Sequence, residues 1–321
     1  MLSSKLTIFL PTFNRCENVV KQIQFLISSQ IDDYFKIVVI NDGSSDQTES
    51  ELLQFDSRPN IKTINHPENL GYAQTHINCF TICDTEYLMF LTDDDDYFPH
   101  SISRAEQLLE QLAPDFLSCS WQSSSSTRKF TTHREISFFN IWKSAKHAPG
   151  LIYKVSAVKT VLSKLQNELH QGNLVAFFYP QIFILFHLKS TGYKLFQSPV
   201  VIGKNPTSGT MTTNAKDQYG NNYFSLSNVI ERHMAFQDFY KKLFLKFSYK
   251  EIALIKDLHS LTLHNHINQA ILLNIDEIFD GFRVSSLLSS LRINNLLRSL
   301  KVIVILKYKI FLSKFFNFLK F

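Results

Sequence analysis

Four consecutive aspartates, Asp93 to Asp96, lie one residue after the apolar run at 87–91, and this junction constrains the fold more than any other part of the chain. Adjacent carboxylates repel one another, so a hydrophobic core would not contain them. A solvated loop could hold them, and so could a divalent cation, which cancels the repulsion and takes oxygen ligands. Acidic blocks are usually solvated faces or tails, but this block lies between a predicted buried strand and a helix that starts near Pro99. We therefore predict a metal site at the carboxyl end of a strand, where ligands bind in open α/β sheets.

Apolar runs of strand-forming residues alternate with segments of helical periodicity through the first 122 residues. The helix after the first strand is predicted to begin at a capping box formed by Asn14 and Glu17. Strands that alternate with helices predict an α/β fold with a mostly parallel sheet, right-handed crossovers and helices on its faces. The predicted strands are residues 6–10, 37–40, 61–64, 87–91 and 116–119.

The serine run at 123–126 interrupts this pattern and marks a boundary or a mobile loop. We therefore divide a predicted main domain, residues 1–225, into a first half of residues 1–122 and a second half of residues 123–225. Residues 226–321 are predicted to form a helical C-terminal extension.

The composition describes a globular protein, because 45% of the residues are hydrophobic and only 19% are charged. No run of 18 apolar residues occurs and no signal peptide precedes the first strand, so we expect no transmembrane helix. The cysteines form no CxxC pair and no zinc spacing, and we expect buried free thiols in a reducing compartment, the cytoplasm. They are Cys16, Cys79, Cys83 and Cys119.

Polar turns follow three of the predicted strands. They contain Thr12, Phe13 and Asn14, then Asp42, then the aspartate run from Asp93. In a parallel sheet these turns meet at one edge. There Phe13 can stack on a nucleotide base, Asp42 can accept from the base N–H that uracil, thymine and guanine share, and the acidic run can hold a cation that neutralises a diphosphate. The sequence contains neither a P-loop nor a GxGxxG motif, which disfavours a Walker-type ATPase and a dinucleotide site.

Four motifs, in order and spacing, resemble those of family 2 glycosyltransferases, which have the Rossmann-like GT-A fold. They are LPTFNR at 10–15, VINDGSSD at 39–46, NLGY at 69–72 and DDDD at 93–96 with Pro99. The resemblance implies a nucleotide-sugar donor, a Mg²⁺ or Mn²⁺ ion, and transfer of a hexosyl or deoxyhexosyl group (EC 2.4 type). It makes the first half of the main domain the nucleotide-sugar and metal half and the second half the acceptor half.

The resemblance also implies roles for single residues. It places the aromatic base contact on Phe13, the base-recognising carboxylate on Asp42 and the metal-binding aspartate on Asp94, with Asp93 toward the ribose. Asp95 is a further candidate metal ligand, and Thr92 occupies the position of the usual first aspartate of this signature. The implied donor-binding residues are Pro11, Thr12, Phe13, Asn14, Arg15, Asp42, Gly71 and Asp93.

The second half departs from the family at the position of the catalytic base. Family members usually carry a Glu-Asp pair ahead of a turn like the Gly-Tyr-Lys at 192–194, and that position holds Pro180 and Gln181. An inverting transfer needs a base to take the proton of the acceptor hydroxyl, and a glutamine cannot do this. The candidate substitutes are Glu168, His170 and Asp217.

The missing carboxylate leaves two other function classes open. One is a catalytically inactive partner that binds nucleotide sugars. The other is a sugar nucleotidyltransferase, which also combines an α/β fold with an acidic metal site. A nucleotidyltransferase should carry a glycine-rich loop with Lys or Arg after its first strand, and residues 11–15 match that pattern poorly.

The segment after Asp280 contains no acidic residue and mixes basic with large apolar side chains. Lys and Arg interrupt every apolar run, so we do not expect it to span a bilayer. It resembles a basic amphipathic helix on an anionic membrane surface. A helix packed on the catalytic domain is the alternative, and a nucleic-acid tail is disfavoured because of the many Phe and Leu. The basic residues are Arg283, Arg292, Arg298, Lys301, Lys307, Lys309, Lys314 and Lys320.

These observations together predict a bacterial-type, metal-dependent glycosyltransferase. We expect it in the cytoplasm, peripherally bound to the inner face of the cell membrane, with no nucleic-acid partner. Its expected acceptor is a lipid-linked saccharide in the synthesis of O-antigen of lipopolysaccharide, of capsule or of a related polysaccharide.

Overall fold

The structure is a computed structural model of the 321-residue chain, and it describes residues 4–122, 128–205 and 225–243. The chain divides into two units, Met1–Thr210 and Met211–Phe321. The described part of the first unit is an α/β domain, and the described part of the second is one helix.

The first half alternates strands with helices, as the sequence predicts. Its elements are β1 (Leu6–Thr12), α1 (Cys16–Ser28), β2 (Lys36–Asn41), α2 (Thr48–Leu52), a 3₁₀ turn (Leu53–Phe55), β3 (Ile61–Asn65), α3 (Tyr72–Ile82) and β4 (Tyr87–Phe90). The pairs β1–β2, β2–β3 and β1–β4 are all parallel. The carboxyl ends of these strands therefore lie along one edge of the sheet.

The rest of the first unit, from Asp96 onward, is less regular. It contains β5 (Asp96–Tyr97), α4 (Pro99–Leu112), β6 (Phe116–Gln122), β7 (Arg134–Glu135), a 3₁₀ turn (Phe138–Asn140), α5 (Ile141–Ala145), β8 (Leu151–Lys154), α6 (Val155–His170), α7 (Leu174–Phe178), α8 (Pro180–Ser190) and β9 (Leu195–Lys204). Helix α9 (Leu226–Leu243) belongs to the second unit.

The described strands form one mixed sheet in the order β3-β2-β1-β4-β8-β6-β9-β5, with β7 on β9. The predicted mostly parallel sheet is confirmed, because the longer ladders, including β6–β9, are parallel. Strand β8 runs antiparallel to both β4 and β6. The N–H of Gly150 donates to the carbonyl of Phe90 (2.7 Å), so the chain enters β8 at the edge where β4 ends.

The core lies between this sheet and its helices. Strand residues such as Ile8, Leu10 and Val39 have no exposed surface, and they share one cluster with Val19 and Ile23 of α1. The spacing of four residues places Val19 and Ile23 on one helical face. Burying each such side chain contributes about 1.5–3 kcal/mol to folding, and this packing fixes the strand ends that carry the polar turns.

The predicted capping box at the start of α1 is wrong. The helix begins at Cys16, its N-cap is Arg15, and no side chain caps it. Asn14 has a left-handed backbone (φ 52°), and its side chain instead accepts from the N–H of Ser45 (2.8 Å). Asn14 therefore links the turn after β1 to the turn after β2. This contact between two strand ends replaces the predicted local cap.

Several predicted features fall outside the described residues. The serine run and the predicted boundary between residues 122 and 123 adjoin the gap at 123–127, and the boundary at 225 adjoins the gap at 206–224. The basic segment after Asp280 and the candidate base Asp217 also lie outside. Among the helices that are described, none combines the length and apolar character needed to cross a bilayer.

Candidate functional site

Thr12 connects the three polar turns that the sequence predicts to meet. It is the last residue of β1 and lies opposite Asn41 at the end of β2. Its carbonyl accepts from the N–H of Asp42 (2.9 Å), and its hydroxyl donates to Oδ2 of Asp93 (2.7 Å). The sheet therefore brings Asp42 and the aspartate run to the two sides of one buried threonine.

The carboxylate of Asp42 is fixed by the loop that precedes α3. Oδ1 accepts from the N–H of Leu70 (3.1 Å), and Oδ2 accepts from the N–H of Gly71 (3.0 Å). Gly43 (φ 66°) packs so closely on this loop that a Cβ there would lie 2.2 Å from the carbonyl carbon of Glu68. The predicted residues Asp42 and Gly71 are thus in direct contact, and glycine is required at 43.

His66, which the sequence analysis did not select, is a third partner of Asp42. Its Nδ1 lies 2.8 Å from Oδ1 of Asp42, and its Nε2 lies 3.3 Å from Nδ2 of Asn78. Because a carboxylate only accepts, Nδ1 carries the proton and Nε2 accepts from Asn78. In the sequence, the one signal that could have indicated His66 was its position directly after β3, the strand that pairs with β2.

Asp42 keeps capacity for one more hydrogen bond. A carboxylate offers about four lone pairs, and three are used by Leu70, Gly71 and His66. Phe13 is 37% exposed, and Leu70 and Tyr72, the two residues beside Gly71, are exposed as well. The edge therefore combines an oriented acceptor with apolar surface that lies open to solvent.

A single guanidinium nitrogen joins the first two aspartates of the run. Nη1 of Arg15 lies 2.9 Å from Oδ1 of Asp93 and 2.6 Å from Oδ2 of Asp94. Burial disfavours the charge of Arg15, but both carboxylates outweigh it and raise the pKa of Arg15. Burial also raises the pKa of Asp93, against the hydrogen bonds from Thr12 and Arg15.

The other two aspartates face different partners. Oδ2 of Asp95 accepts from the hydroxyl of Thr92 (2.6 Å), and that hydroxyl lies 2.9 Å from the phenol oxygen of Tyr97. Burial raises the pKa of Asp95 to about 7, against the hydrogen bond from Thr92. Asp96 pairs with Lys204 of β9 at 3.4 Å. The four aspartates are the same residue type but therefore occupy four different environments.

The pair Asp93 and Asp94 fits a divalent cation in part. Oxygens of both carboxylates lie within 3 Å of one nitrogen, so the two side chains converge on one position, and hard oxygen ligands suit Mg²⁺. Within the described residues, no group of three His, Cys, Asp or Glu could hold a metal ion by itself. Water or ligand oxygens would have to complete the coordination, which is how Mg²⁺ is commonly bound.

Arg128, which the sequence analysis missed, interacts electrostatically with Asp95. Arg128 is almost fully buried; its Nη1 donates to the carbonyl of His147 (2.8 Å), and its guanidinium lies 5.3 Å from the centre of the Trp121 ring. Burial lowers the pKa of Arg128 to about 10, against nearby groups that include Asp95. A buried cation therefore contributes to the field around the inner part of the run.

The position of the usual base offers no carboxylate. Gln181 lies in the first turn of α8, is 2% exposed, and its Oε1 has no hydrogen-bond partner among the described residues. Glu168 accepts from Nδ2 of Asn173 (2.6 Å), and His170 is an exposed residue at the end of α6. None of these contacts links Glu168 or His170 to the aspartate run, so the base stays unassigned.

A family model described as "Glycosyl transferase family 2" matches residues 7–173, which is half of the chain. Two curated relatives are similar over about a third of the chain. An "Uncharacterized glycosyltransferase" of Rickettsia bellii is 26% identical over 108 residues, 34% of this chain and 15% of the relative. A "Teichoic acid poly(glycerol phosphate) polymerase" of Staphylococcus epidermidis is 29% identical over 102 residues, 31% of this chain and 14% of the relative. The matches thus span a small part of both relatives.

Solved structures share the fold. S. aureus TarS 1-349 in complex with UDP-GlcNAc superposes with a TM-score of 0.58 at 13% identity, covering 92% of this chain and 81% of that one. A mannosyltransferase, PcManGT, from Pyrobaculum calidifontis in complex with GDP-Man and Mn²⁺ superposes with a TM-score of 0.55 at 13% identity, covering 89% and 79%. At these identities the likeness establishes the GT-A fold alone.

Proposed function

Because the chain belongs to glycosyl transferase family 2, we propose that it transfers a hexosyl or deoxyhexosyl group from a nucleotide-sugar donor to a lipid-linked saccharide. The observation that carries this proposal is the pairing of two features across Thr12. An oriented acceptor with exposed apolar neighbours lies on one side, and a pair of carboxylates lies on the other. A nucleoside diphosphate likewise has a base at one end and a charged diphosphate at the other.

The base would bind at Asp42 and Phe13. The free lone pair of Asp42 can accept a ring N–H, which selects uracil, thymine or guanine over bases without one. The exposed ring of Phe13 offers a stacking surface. Both a UDP-sugar and a GDP-sugar are found in complexes of neighbouring structures, and each of these bases carries that N–H.

The diphosphate would lie beside Asp93, Asp94 and Arg15. A Mg²⁺ or Mn²⁺ ion held by Asp94 and Asp93 would act as a Lewis acid toward the diphosphate leaving group. Arg15 adds a cation that can donate two hydrogen bonds to a phosphate. In this proposal Asp95, held by Thr92, is the further candidate metal ligand, and Pro11 and Asn14 shape the turn that carries Phe13 and Arg15.

The transfer itself needs a nucleophile and a base. The acceptor hydroxyl oxygen forms a bond to the anomeric carbon, the bond from that carbon to the diphosphate oxygen breaks, and the hydroxyl proton passes to a base. Orientation of the two reactants accounts for a large part of such rate enhancements. Gln181 cannot take the proton, and Glu168, His170 and Asp217 remain the candidates.

Two observations support the proposed acceptor class. A curated relative is named a teichoic acid polymerase, which favours synthesis of a bacterial surface polymer such as O-antigen, capsule or a related glycan. The basic, Phe- and Leu-rich sequence after Asp280 favours binding to an anionic membrane, where lipid-linked saccharides are found. We therefore propose a cytoplasmic protein bound to the inner face of the membrane.

The deciding experiment is a panel of UDP-, dTDP- and GDP-sugars, each with Mn²⁺ and with EDTA. We expect thermal stabilisation by one base class, with release of the nucleoside diphosphate when the acceptor or water reacts. Stabilisation without any turnover across acceptors would support the inactive nucleotide-sugar-binding alternative. Release of pyrophosphate from a nucleoside triphosphate and a sugar phosphate would support the nucleotidyltransferase alternative.

A further inference from the structure

We propose that Arg15 is a built-in counter-cation of the Asp93–Asp94 pair, and that a divalent cation binds this pair tightly only when a nucleoside diphosphate draws the guanidinium away. This inference rests on the proposed function, because it takes the pair as the metal site. It adds an order of events: nucleotide and metal enter together, and Arg15 exchanges one anionic partner for another.

The guanidinium of Arg15 and a divalent cation would compete for the same position between Asp93 and Asp94. Nη1 of Arg15 contacts both Oδ1 of Asp93 and Oδ2 of Asp94. A Mg²⁺ ion shared by the same two oxygens needs ligand distances of about 2.0–2.1 Å, so it would occupy the space that Nη1 fills. A guanidinium is charged under all ordinary conditions, so it cannot leave this competition by losing a proton.

The surroundings make the side chain of Arg15 the movable part. The turn on either side of it is tied down, because Asn14 binds Ser44 and Ser45, and the N–H of Cys16 donates to Asp46 (3.1 Å). Asp93 is 5% exposed and held by Thr12, whereas the Arg15 side chain is 27% exposed and that of Asp94 is 41% exposed. Only Arg15 and Asp94 therefore have room to respond to a ligand.

A nucleoside diphosphate would relieve the competition. Phosphate oxygens accept two parallel hydrogen bonds from a guanidinium, so the diphosphate gives Arg15 a new partner as it supplies oxygen ligands to the metal. Binding of nucleotide and metal is then coupled, and coupling is reciprocal. The nucleotide and the metal should each strengthen the binding of the other. This effect should be larger in the parent protein than in a variant that lacks Arg15.

The test measures Mn²⁺ binding by electron paramagnetic resonance in the full chain, alone and with UDP or GDP. The variants are Arg15→Gln, which removes the charge, and Arg15→Lys, which keeps it. Without nucleotide, Arg15→Gln should bind Mn²⁺ about 5- to 150-fold more tightly than the parent, the usual range for coupled sites. Arg15→Lys should stay near the parent, and the added effect of UDP or GDP should be smaller in Arg15→Gln.

Lys204→Gln is the matched control, because Lys204 pairs with the neighbouring Asp96 and its loss removes the same charge without freeing Asp93 or Asp94. Adding Asp94→Asn to Arg15→Gln should abolish the gain, and circular dichroism checks that each variant folds. The proposal is overturned if Arg15→Gln binds Mn²⁺ no more tightly than the parent, or if Arg15→Lys or Lys204→Gln gains as much. A protein that shows the exchange but transfers no sugar would leave this inference standing and count against the proposed function.

Discussion

The imidazole of His66 donates from Nδ1 to Oδ1 of Asp42 across 2.8 Å, and Asn78 holds its other ring nitrogen. Two elements that are separate in sequence, the end of β3 and the middle of α3, thus fix the carboxylate at the end of β2. A carboxylate held in this way presents its remaining lone pair in one direction, which is what selective recognition of a base requires.

Replacing His66 with Ala should weaken nucleotide binding and reduce the preference for the best base. A hydrogen bond to a charged group contributes about 1.5–3 kcal/mol, and part of that should appear as lost affinity once Asp42 can rotate. Calorimetry with UDP and GDP measures both effects. His66→Gln should recover part of the preference, and the exposed His100 is the control for replacement by Ala. Equal losses for all bases would point to a structural role for His66.

Removing the ring of Phe13 should raise the KM for the donor. Stacking of a base on an aromatic side chain contributes about 1–3 kcal/mol, so Phe13→Ala should raise KM by roughly 5- to 150-fold with a smaller change in kcat. Tyr34 is an exposed aromatic residue near the opposite end of β2, and Tyr34→Ala should leave KM unchanged. If Phe13→Ala binds the nucleotide as the parent does, the base site lies elsewhere.

Asp94→Asn should abolish transfer and leave the fold intact. The exposed ion pair with Arg15 contributes at most about 1 kcal/mol to stability, whereas loss of charge stabilisation at a reacting centre typically lowers kcat by about 100-fold or more. Initial rates with Mg²⁺ or Mn²⁺ and a thermal melt separate the two effects. Asp96→Asn, which changes the partner of Lys204, should retain most of the activity. Wild-type turnover by Asp94→Asn would contradict the assignment.

Stability should fall in acid partly because of His76. This residue is 2% exposed, stacks on Phe90 at 3.8 Å, and neither ring nitrogen has a hydrogen-bond partner in the part of the chain that is described. Burial lowers the pKa of His76 from 6.5 to about 3. Between these values the unfolded chain binds a proton that the folded chain does not, so stability decreases as the pH falls below 6.5.

Urea unfolding of His76→Phe at pH 7.5 and pH 5 isolates this effect. The parent should lose about 2 kcal/mol more than the variant between the two values, since each pKa unit corresponds to about 1.4 kcal/mol. Asp95 has the opposite effect on the pH dependence of stability, because its raised pKa favours the protonated folded state as the pH falls. The parent and the variant both contain Asp95, so its effect cancels in the comparison. Replacing the exposed His133 with Phe is the control for the same substitution at the surface. Equal slopes for parent and His76→Phe would show that His76 can be protonated in the fold.

The full chain should bind anionic vesicles in preference to neutral ones. Each basic residue near an anionic surface contributes about 1 kcal/mol, and the attraction should weaken as salt is raised. Replacing Lys307, Lys309 and Lys314 with Glu should release the protein, whereas the same change at the exposed Lys62, Lys143 and Lys159 should not. Co-sedimentation measures both. No preference for anionic vesicles, together with aggregation of the triple tail variant, would favour a C-terminal segment that packs on the catalytic domain.

Local sequence patterns determined the strands of the first half and the edge of the sheet at which the site lies. The apolar runs marked β1, β2, β4 and β6 because strands buried on both faces need such runs. The polar turns after β1, β2 and β4 were predictable as neighbours because parallel strands end at the same edge. Motif spacing was also sufficient to indicate the family and its GT-A fold.

Tertiary structure alone decided how the polar residues are paired. The sequence presents four identical side chains in one run and says nothing of their partners, yet Arg15, Thr92 and Lys204 give each part of the run a different partner. Likewise, His66 reaches Asp42 only because β3 pairs with β2, and the capping box at Asn14 fails because Ser45 is a better-placed partner. Hydrogen bonds and ion pairs form at distances of about 3 Å, so they depend on which distant segments the packed sheet brings together. The periodicity of the sequence does not specify which segments those are.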